Sequence, residues 1–282
     1  MQTFTFNLDT KPLTIAQFLK KASFSLTARR KIKRQASLYI DGKQVSFKDI
    51  IGPEQKLDII FPVISNVIPQ QGALKILFED EYVLAIDKPA SMLVHPVGKE
   101  ITETLANYLY GYMQKKADFD GLHFISRLDR DTSGLILVAK TAYVKHLFSK
   151  CNIKKYYLAC LCSIPPAQRG IICLPIQRKT DSIIEREIGI YGKTSLTAYK
   201  LITKYQDGSC LVQFEAITGR THQLRVHAAA LNCPIVGDSL YGEKGVKTRH
   251  LLHACELSFL HPLTHKKITI KSGLPEDMVK II

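Results

Sequence analysis

Residues 122–140 read Leu-His-Phe-Ile-Ser-Arg-Leu-Asp-Arg-Asp-Thr-Ser-Gly-Leu-Ile-Leu-Val-Ala-Lys. An apolar run, 122–125, gives way to two guanidiniums and two carboxylates (Arg127, Asp129, Arg130, Asp131), and a second apolar run follows at 135–140. So many charges do not fit a strand interior. They form a loop at a strand end, where functional groups commonly sit on a rigid support. Thr132, Ser133 and Gly134 add hydroxyls and a permissive backbone, which also suit an ordinary turn. Arg–Asp alternation builds bland salt-bridged turns too, so the segment by itself leaves both readings open.

Strand-like runs recur on both sides, at 75–79, 82–86, 156–162, 198–204, 211–216, 257–260 and 267–270. Helical patterns are fewer, at 102–115, 142–151 and 221–231. Strands in succession with scattered helices predict an α+β fold with a mostly antiparallel mixed sheet, not alternating βαβ units. The first residues read differently. Leu13, Ala16, Phe18 and Leu19 have helical spacing, and Thr27 is positioned to cap a second helix from Ala28. Residues 37–40 and 43–45 read as strands around an Asp41-Gly42 hairpin turn, with a last strand at 56–61. This predicts a small α/β domain over 1–62, a linker over 63–75 containing Pro69 and Gly72, and a main domain over 76–282.

Composition narrows the function. The 282 residues are 46% hydrophobic, too apolar for a disordered chain. The net charge is +14, from 39 Lys and Arg against 25 Asp and Glu. Half of that excess falls in residues 1–75, which hold twelve basic and five acidic side chains. It peaks at Arg29, Arg30, Lys31, Lys33 and Arg34, a cluster suited to a phosphate backbone. Apolar runs are far shorter than the roughly 20 residues that span a bilayer. The N-terminus lacks a basic segment followed by an apolar run, so no secretory signal is expected. Seven cysteines without a CxxC pair predict reduced thiols in a cytoplasmic protein, and neither a zinc ribbon nor a zinc-deaminase site.

A second charged segment, Thr218-Gly219-Arg220-Thr221-His222-Gln223-Leu224-Arg225-Val226-His227, follows a strand and opens a helix. Gly219 permits a tight turn, Thr221 is a candidate cap, Arg220 lies at the helix terminus and Arg225 just inside it. His222 and His227 are five apart, a poor match to paired metal ligands, and read as hydrogen-bonded structural histidines. In 84–96, a strand ends in Asp87-Lys88-Pro89, where a crossing with an exposed lysine is as good as any functional reading. In Lys154-Lys155-Tyr156-Tyr157, an aromatic on a strand can be core or can stack on a base; the residues alone favour core.

The segments LAIDKPASMLVHP, RLDRDTSGLILVAK, KKYYLAC and TGRTHQLRVHAAALNCPIVGDSLYG occur in this order over about residues 76–262. Together they resemble the RluA-type family of RNA pseudouridine synthases. The N-terminal module is similar to the small α-L RNA-binding domain that many such synthases carry. The resemblance implies the pseudouridine synthase catalytic fold, with Asp129 as the essential carboxylate and Tyr157 as the ring that stacks on the target base. It implies that Arg220 pairs with the carboxylate. Arg127 is associated with the flipped nucleotide, and Thr132, Arg225 and Leu252 are expected among the substrate-binding residues. Arg29, Arg30, Lys31, Lys33 and Arg34 would hold RNA. Departures from the family pattern are Ser126 where His is common, Asp87 where Asn is commoner, and Asn232 where Gly is usual.

The implied chemistry suits these residues. Uracil leaves ribose at nitrogen 1, rotates and rejoins through carbon 5, so no redox cofactor, metal or second substrate is required. A carboxylate must act at sugar or base, an arginine opposes the effect of desolvation on it, and an aromatic face receives the unstacked base. The expected protein is a monomeric cytoplasmic isomerase acting on structured ribosomal or transfer RNA. Its rival is an inactive RNA-binding or ribosome-assembly factor on the same fold. A nucleotide glycosidase or lyase would leave the basic N-terminal module idle.

Overall fold

The computed structural model describes residues 2–5, 11–60, 67–116, 119–242 and 249–279. The chain forms two compact units, one from Met1–Leu84, His95–Ser126 and Leu137–Cys151, the other from Ala85–Val94, Arg127–Ile136 and Asn152–Ile282.

The first unit begins with β1 (Gln2–Thr5), β2 (Leu13–Thr14), α1 (Ile15–Lys21), α2 (Leu26–Gln35), β3 (Ser37–Ile40), β4 (Lys43–Val45), β5 (Ile50–Ile51) and β6 (Lys56–Ile60). Four of these strands form an antiparallel sheet in the order β1-β6-β3-β4. Thr14 caps α1 in a capping box, its hydroxyl accepting from the Gln17 N–H while the Gln17 side chain accepts from the Thr14 N–H. α2 starts earlier than the sequence predicts. Ser25, not Thr27, is the cap, its Oγ accepting from the Ala28 N–H at 3.1 Å. Asp41 and Gly42 both have positive φ, as a two-residue hairpin turn with this twist requires. Ile15, Phe18 and Leu19 of α1 bury themselves with Ile32, Leu38, Ile40, Leu57 and Ile59 in one apolar cluster. That burial, rather than helix propensity, holds so short a helix pair in place. Of the predicted strand 56–61, Lys56–Ile60 forms β6; Phe61 and linker residues 63–66 lie outside the described residues.

Next come β7 (Ile76–Glu79), β8 (Val83–Lys88), α3 (Leu105–Met113), β9 (His123–Phe124), β10 (Ser133–Ala139) and α4 (Ala142–Phe148). β8 and β10 each have residues in both units. Every residue of β10 is buried, as its unbroken apolar run anticipates.

The rest of the second unit is β11 (Lys154–Leu161), β12 (Arg169–Cys173), β13 (Ile176–Arg178), β14 (Arg186–Ile188), β15 (Leu196–Lys204), β16 (Cys210–Ala216), α5 (Gln223–Ala230), β17 (Leu252–Leu260), β18 (Lys267–Lys271) and α6 (Glu276–Val279). Its strands run in the order β12-β15-β16-β11-β17-β10-β8, with β18 beside β17. β12–β15, β15–β16, β16–β11, β11–β17 and β17–β18 pair antiparallel, whereas β10 meets β17 in parallel at Ser133↔His253 and Gly134↔Ala254. This is an α+β fold around a large mixed sheet with few helices, as the strand succession predicts. The parallel pairing explains Gly134. Its φ is +108°, and a Cβ there would lie 2.3 Å from the Ala254 carbonyl oxygen, so only glycine lets the strands approach this closely.

Candidate active site

The charged loop before β10 is fixed residue by residue within the second unit. The Arg130 carbonyl accepts from Lys88 Nζ at 2.8 Å, and the Asp131 carbonyl accepts from Arg249 Nη1 at 3.1 Å. The Thr132 hydroxyl bonds His250 Nε2 at 2.8 Å, and the Ser133 hydroxyl bonds His253 Nδ1 at 3.0 Å. Arg249 is itself held by both oxygens of Asp277. Asp129 stands at the free end of this row with its side chain 30% exposed. A carboxylate on an anchored backbone, open to solvent on one side, is pre-organised to meet a ligand.

Arg225 reaches Asp129. Its guanidinium forms a bidentate pair with Asp238, Nε to Oδ2 and Nη2 to Oδ1 each at 2.7 Å, and its remaining nitrogen Nη1 lies 3.4 Å from Asp129 Oδ2. Asp238 is fully buried and accepts further from the Leu240 and Tyr241 N–H groups. Burial by itself would raise the Asp238 carboxyl, but the Arg225 hydrogen bonds and charge, with the Leu240 N–H, bring it below the ordinary carboxylate range. Asp238 therefore fixes the guanidinium, and the guanidinium faces Asp129 with its one spare edge.

The expected pairing of Arg220 with Asp129 is not what the structure has. Arg220 is exposed, and its Nε donates to the Thr194 carbonyl at 3.1 Å. The reason is where the helix starts. α5 begins at Gln223, so Arg220 lies in the preceding turn while Arg225 falls in the first helical turn with its side chain inward. Gln223 sets that start. Its amide oxygen accepts from the Thr218 hydroxyl and the Arg220 N–H, and its amide nitrogen donates to the Leu196 carbonyl and the Thr197 hydroxyl. Thr221 is exposed and does not cap; the cap position belongs to His222, without a side-chain bond of the capping kind. Gly219 has no positive φ and open space where a Cβ would go, so the turn does not demand glycine there.

Tyr157 lies on β11 opposite Phe214 and Ala254, beside a bulge in the pairing with β17. The ring is half-buried against the core. Burial, and then the charge of Asp129, push its phenol well above the usual value, so it is a neutral ring near that carboxylate. The structure thus joins Asp129 to Arg225, with Tyr157 on the neighbouring part of the sheet through Ala254, which pairs with both Tyr157 and Gly134.

A family model described as RNA pseudouridylate synthase matches residues 82–230, which include Asp129, Tyr157 and Arg225. The chain belongs to this family. An uncharacterized RNA pseudouridine synthase of Bacillus subtilis (strain 168) is 34% identical over 253 residues, 87% of this chain and 89% of its own. A ribosomal large subunit pseudouridine synthase D of Zymomonas mobilis is 34% identical over 245 residues, 79% of this chain and 76% of its own. Among solved structures, human RNA pseudouridylate synthase domain containing 1 matches with a TM-score of 0.59 at 28% identity, over 73% of this chain and 86% of that one. The protein is an RNA uridine-to-pseudouridine isomerase.

Two other expected residues of this synthase, Thr132 and Leu252, lie in its packed interior. Thr132 is buried and spends its hydroxyl on His250, whose ring is pushed down to about 4 by burial and the Arg225 charge. Leu252 is core, packed in the cluster that holds Ala159, Val212 and Leu224. Arg127 is exposed in the loop, two residues before Asp129. His227 is structural, as predicted, bonded to the Thr197 hydroxyl and the Leu174 carbonyl. Asn232 has φ +57°, a conformation that glycine and asparagine tolerate best, which accounts for its standing where glycine is usual.

Lys88 of the synthase reverses its reading as an exposed lysine. It is fully buried, and its three donors meet the Pro89, Met92 and Arg130 carbonyls at 2.7, 2.9 and 2.8 Å. Burial pulls its ammonium down to about 7, against the opposing charges of Asp131 and Asp129. Lys88→Met leaves three inward carbonyls without their donor. It is expected to cost about 3 kcal/mol or more, read as a lowered urea midpoint, and to slow turnover because Arg130 adjoins Asp129.

Proposed function

We propose that Asp129 is the carboxylate on which the isomerisation depends, that Tyr157 stacks on the displaced uracil, and that Arg225 holds the carboxylate in place. The observation that carries this reading is the meeting of an anchored loop and a fixed guanidinium at one partly exposed carboxylate, with Tyr157 on β11 paired to the same Ala254 that pairs with Gly134 beyond that loop. The carboxylate acts at the ribose or the base while Tyr157 receives the ring taken from the stack. Arg127, exposed beside Asp129, touches the flipped nucleotide or the gap it leaves.

The substrate we infer is a structured ribosomal or transfer RNA. The name of the Zymomonas relative refers to the large ribosomal subunit, which supports the ribosomal option. The protein works as a cytoplasmic monomer without a metal or organic cofactor. No helix among the described residues is long and apolar enough to cross a membrane. We assign residues 1–62 to a separate RNA-binding domain, joined by the linker 63–75 to a catalytic domain over 76–282. Arg30, Lys33 and Arg34 are exposed on α2, with Arg29 and Lys31 half-buried beside them.

The test is incubation of the purified protein with ribosomal and transfer RNA transcripts, with pseudouridine read by carbodiimide-blocked primer extension for the wild type and Asp129→Asn. A wild-type protein that modifies neither RNA overturns the substrate assignment. For the N-terminal module, replacing Arg30, Lys33 and Arg34 together by Ala is expected to weaken RNA binding. The slope of log affinity against log salt should fall by about 0.7–0.9 for each phosphate that the variant no longer neutralises. An unchanged slope in a filter-binding titration removes that role.

A further inference from the structure

His222 departs from the ordinary backbone at the edge of the site. Its φ is +57°, uncommon for any residue but glycine, at the position that opens α5. Strain of this kind persists where the surroundings enforce it. Here the surroundings are specific. His222 Nδ1 lies 2.8 Å from the Tyr241 hydroxyl, the two rings meet edge to face, and the Arg225 guanidinium lies over the Tyr241 ring at 5.1 Å. The same hydroxyl accepts from the Arg186 N–H of β14 at 2.8 Å. The opposite edge of the imidazole, Nε2, is 3.8 Å from Asp129 Oδ2.

Satisfying every polar group selects one order of donors. A backbone N–H only donates, so the Tyr241 oxygen accepts from Arg186; the arrangement that also gives the phenol proton an acceptor has it donate to His222 Nδ1. A neutral imidazole that accepts at Nδ1 carries its proton on Nε2. Burial, with the Arg225 and Arg186 charges, lowers the His222 ring below its ordinary value against the pull of Asp129 and Asp238, which favours the neutral form. The proton that results is on the side facing Asp129.

We propose that Arg186, Tyr241 and His222 form a hydrogen-bond relay that fixes His222 as its Nε2–H tautomer and presents that N–H to Asp129, making His222 and Tyr241 positioning residues for the carboxylate. The kinetic part of this proposal rests on Asp129 as the reacting carboxylate; the tautomer does not. At 3.8 Å the interaction is electrostatic, and a movement of less than 1 Å turns it into a hydrogen bond, as active-site distances do when they tighten around a substrate. Asp129 Oδ2 then has two N–H neighbours, Arg225 Nη1 and His222 Nε2, each fixed from behind, by Asp238 and by Tyr241.

The test uses the whole protein labelled with ¹⁵N-histidine. Long-range proton–nitrogen spectra near neutral pH, with the His222 signals assigned by their disappearance in His222→Asn, should show the Nε2–H pattern in the wild type and a mixture of tautomers in Tyr241→Phe. In kinetic assays Tyr241→Phe should lower kcat by about tenfold, the rate equivalent of one hydrogen bond to a charged group, with KM for RNA unchanged. His222→Asn tolerates the left-handed backbone, so its melting temperature should hold while kcat falls. A wild-type Nδ1–H pattern overturns the relay, as does Tyr241→Phe with spectrum and kcat both unaltered. If the tautomers behave as stated but Asp129→Asn still makes pseudouridine, the relay stands and the assignment of Asp129 fails.

Discussion

Asp129→Asn is expected to lower pseudouridine formation by at least about 10⁴-fold, while RNA affinity stays within a few-fold. The amide is the same size as the carboxylate, and its oxygen can still accept from Arg225 Nη1. What it loses is the negative charge and the nucleophilic or basic oxygen that go with it. The fold should not notice. Asp129 is 30% exposed, and Arg225 keeps its bidentate pair with Asp238, so no buried charge is orphaned. The change in unfolding free energy is expected within about 1 kcal/mol. Carbodiimide-blocked primer extension reads the product and filter binding reads the affinity. Conversion at even a tenth of the wild-type rate would sink the assignment.

Arg225→Met is expected to show the opposite signature, with fold and activity lost together. Asp238 is then a fully buried carboxylate without its cation, a defect that costs about 3–5 kcal/mol. Asp129 loses its fixed partner at the same time. The pH dependence identifies the cause. Because the folded Asp238 carboxyl lies below its ordinary 3.8, the ion pair stabilises the wild type above that value, and the contribution is lost as pH falls through the lowered one. In Arg225→Met the carboxyl takes up a proton more readily, so the stability gap between the two proteins should narrow as the solution is acidified. Arg225→Lys restores a charge but not the fork, so it should recover part of the stability and little of the activity. Urea unfolding across a pH series measures all three; a gap that does not change with pH would show that loss of packing, not of the ion pair, is responsible.

The loop 127–132 is legible in the sequence because its charges fit no strand, whereas Asp129 and Tyr157 are singled out only by the motifs they stand in, the residues alone favouring core for Tyr157. Arg220 and Arg225 are not separable in that way. Five residues apart in TGRTHQLR, they differ in which one lies inside the helix, and Gln223 decides that by bonding Leu196 and Thr197 on β15. Lys88 escapes a sequence reading for a similar reason. Its burial depends on a carbonyl at Arg130, 42 residues away, and no local pattern reports such a pairing. Ser25 and Thr27 are both good caps by type, and the folded chain uses Ser25, whose Oγ accepts from the Ala28 N–H. The hairpin of β13 and β14 has no sequence signal because 176–191 mixes exposed isoleucines with charges at no single period.

The path of the chain gives the site an unusual divisibility. Segments Ala85–Val94 and Arg127–Ile136 belong to the second unit although the chain enters the remainder of that unit only at Asn152. A cut after Cys151 would therefore run through the active centre in sequence while leaving no site residue severed from its own element. One fragment would carry Lys88 and Asp129, the other Tyr157, His222, Arg225 and Asp238. With the roles proposed for these residues neither fragment holds a complete set, so a split form of this protein is expected to be silent until its pieces reassemble, with pseudouridine in an RNA as the record that they had met.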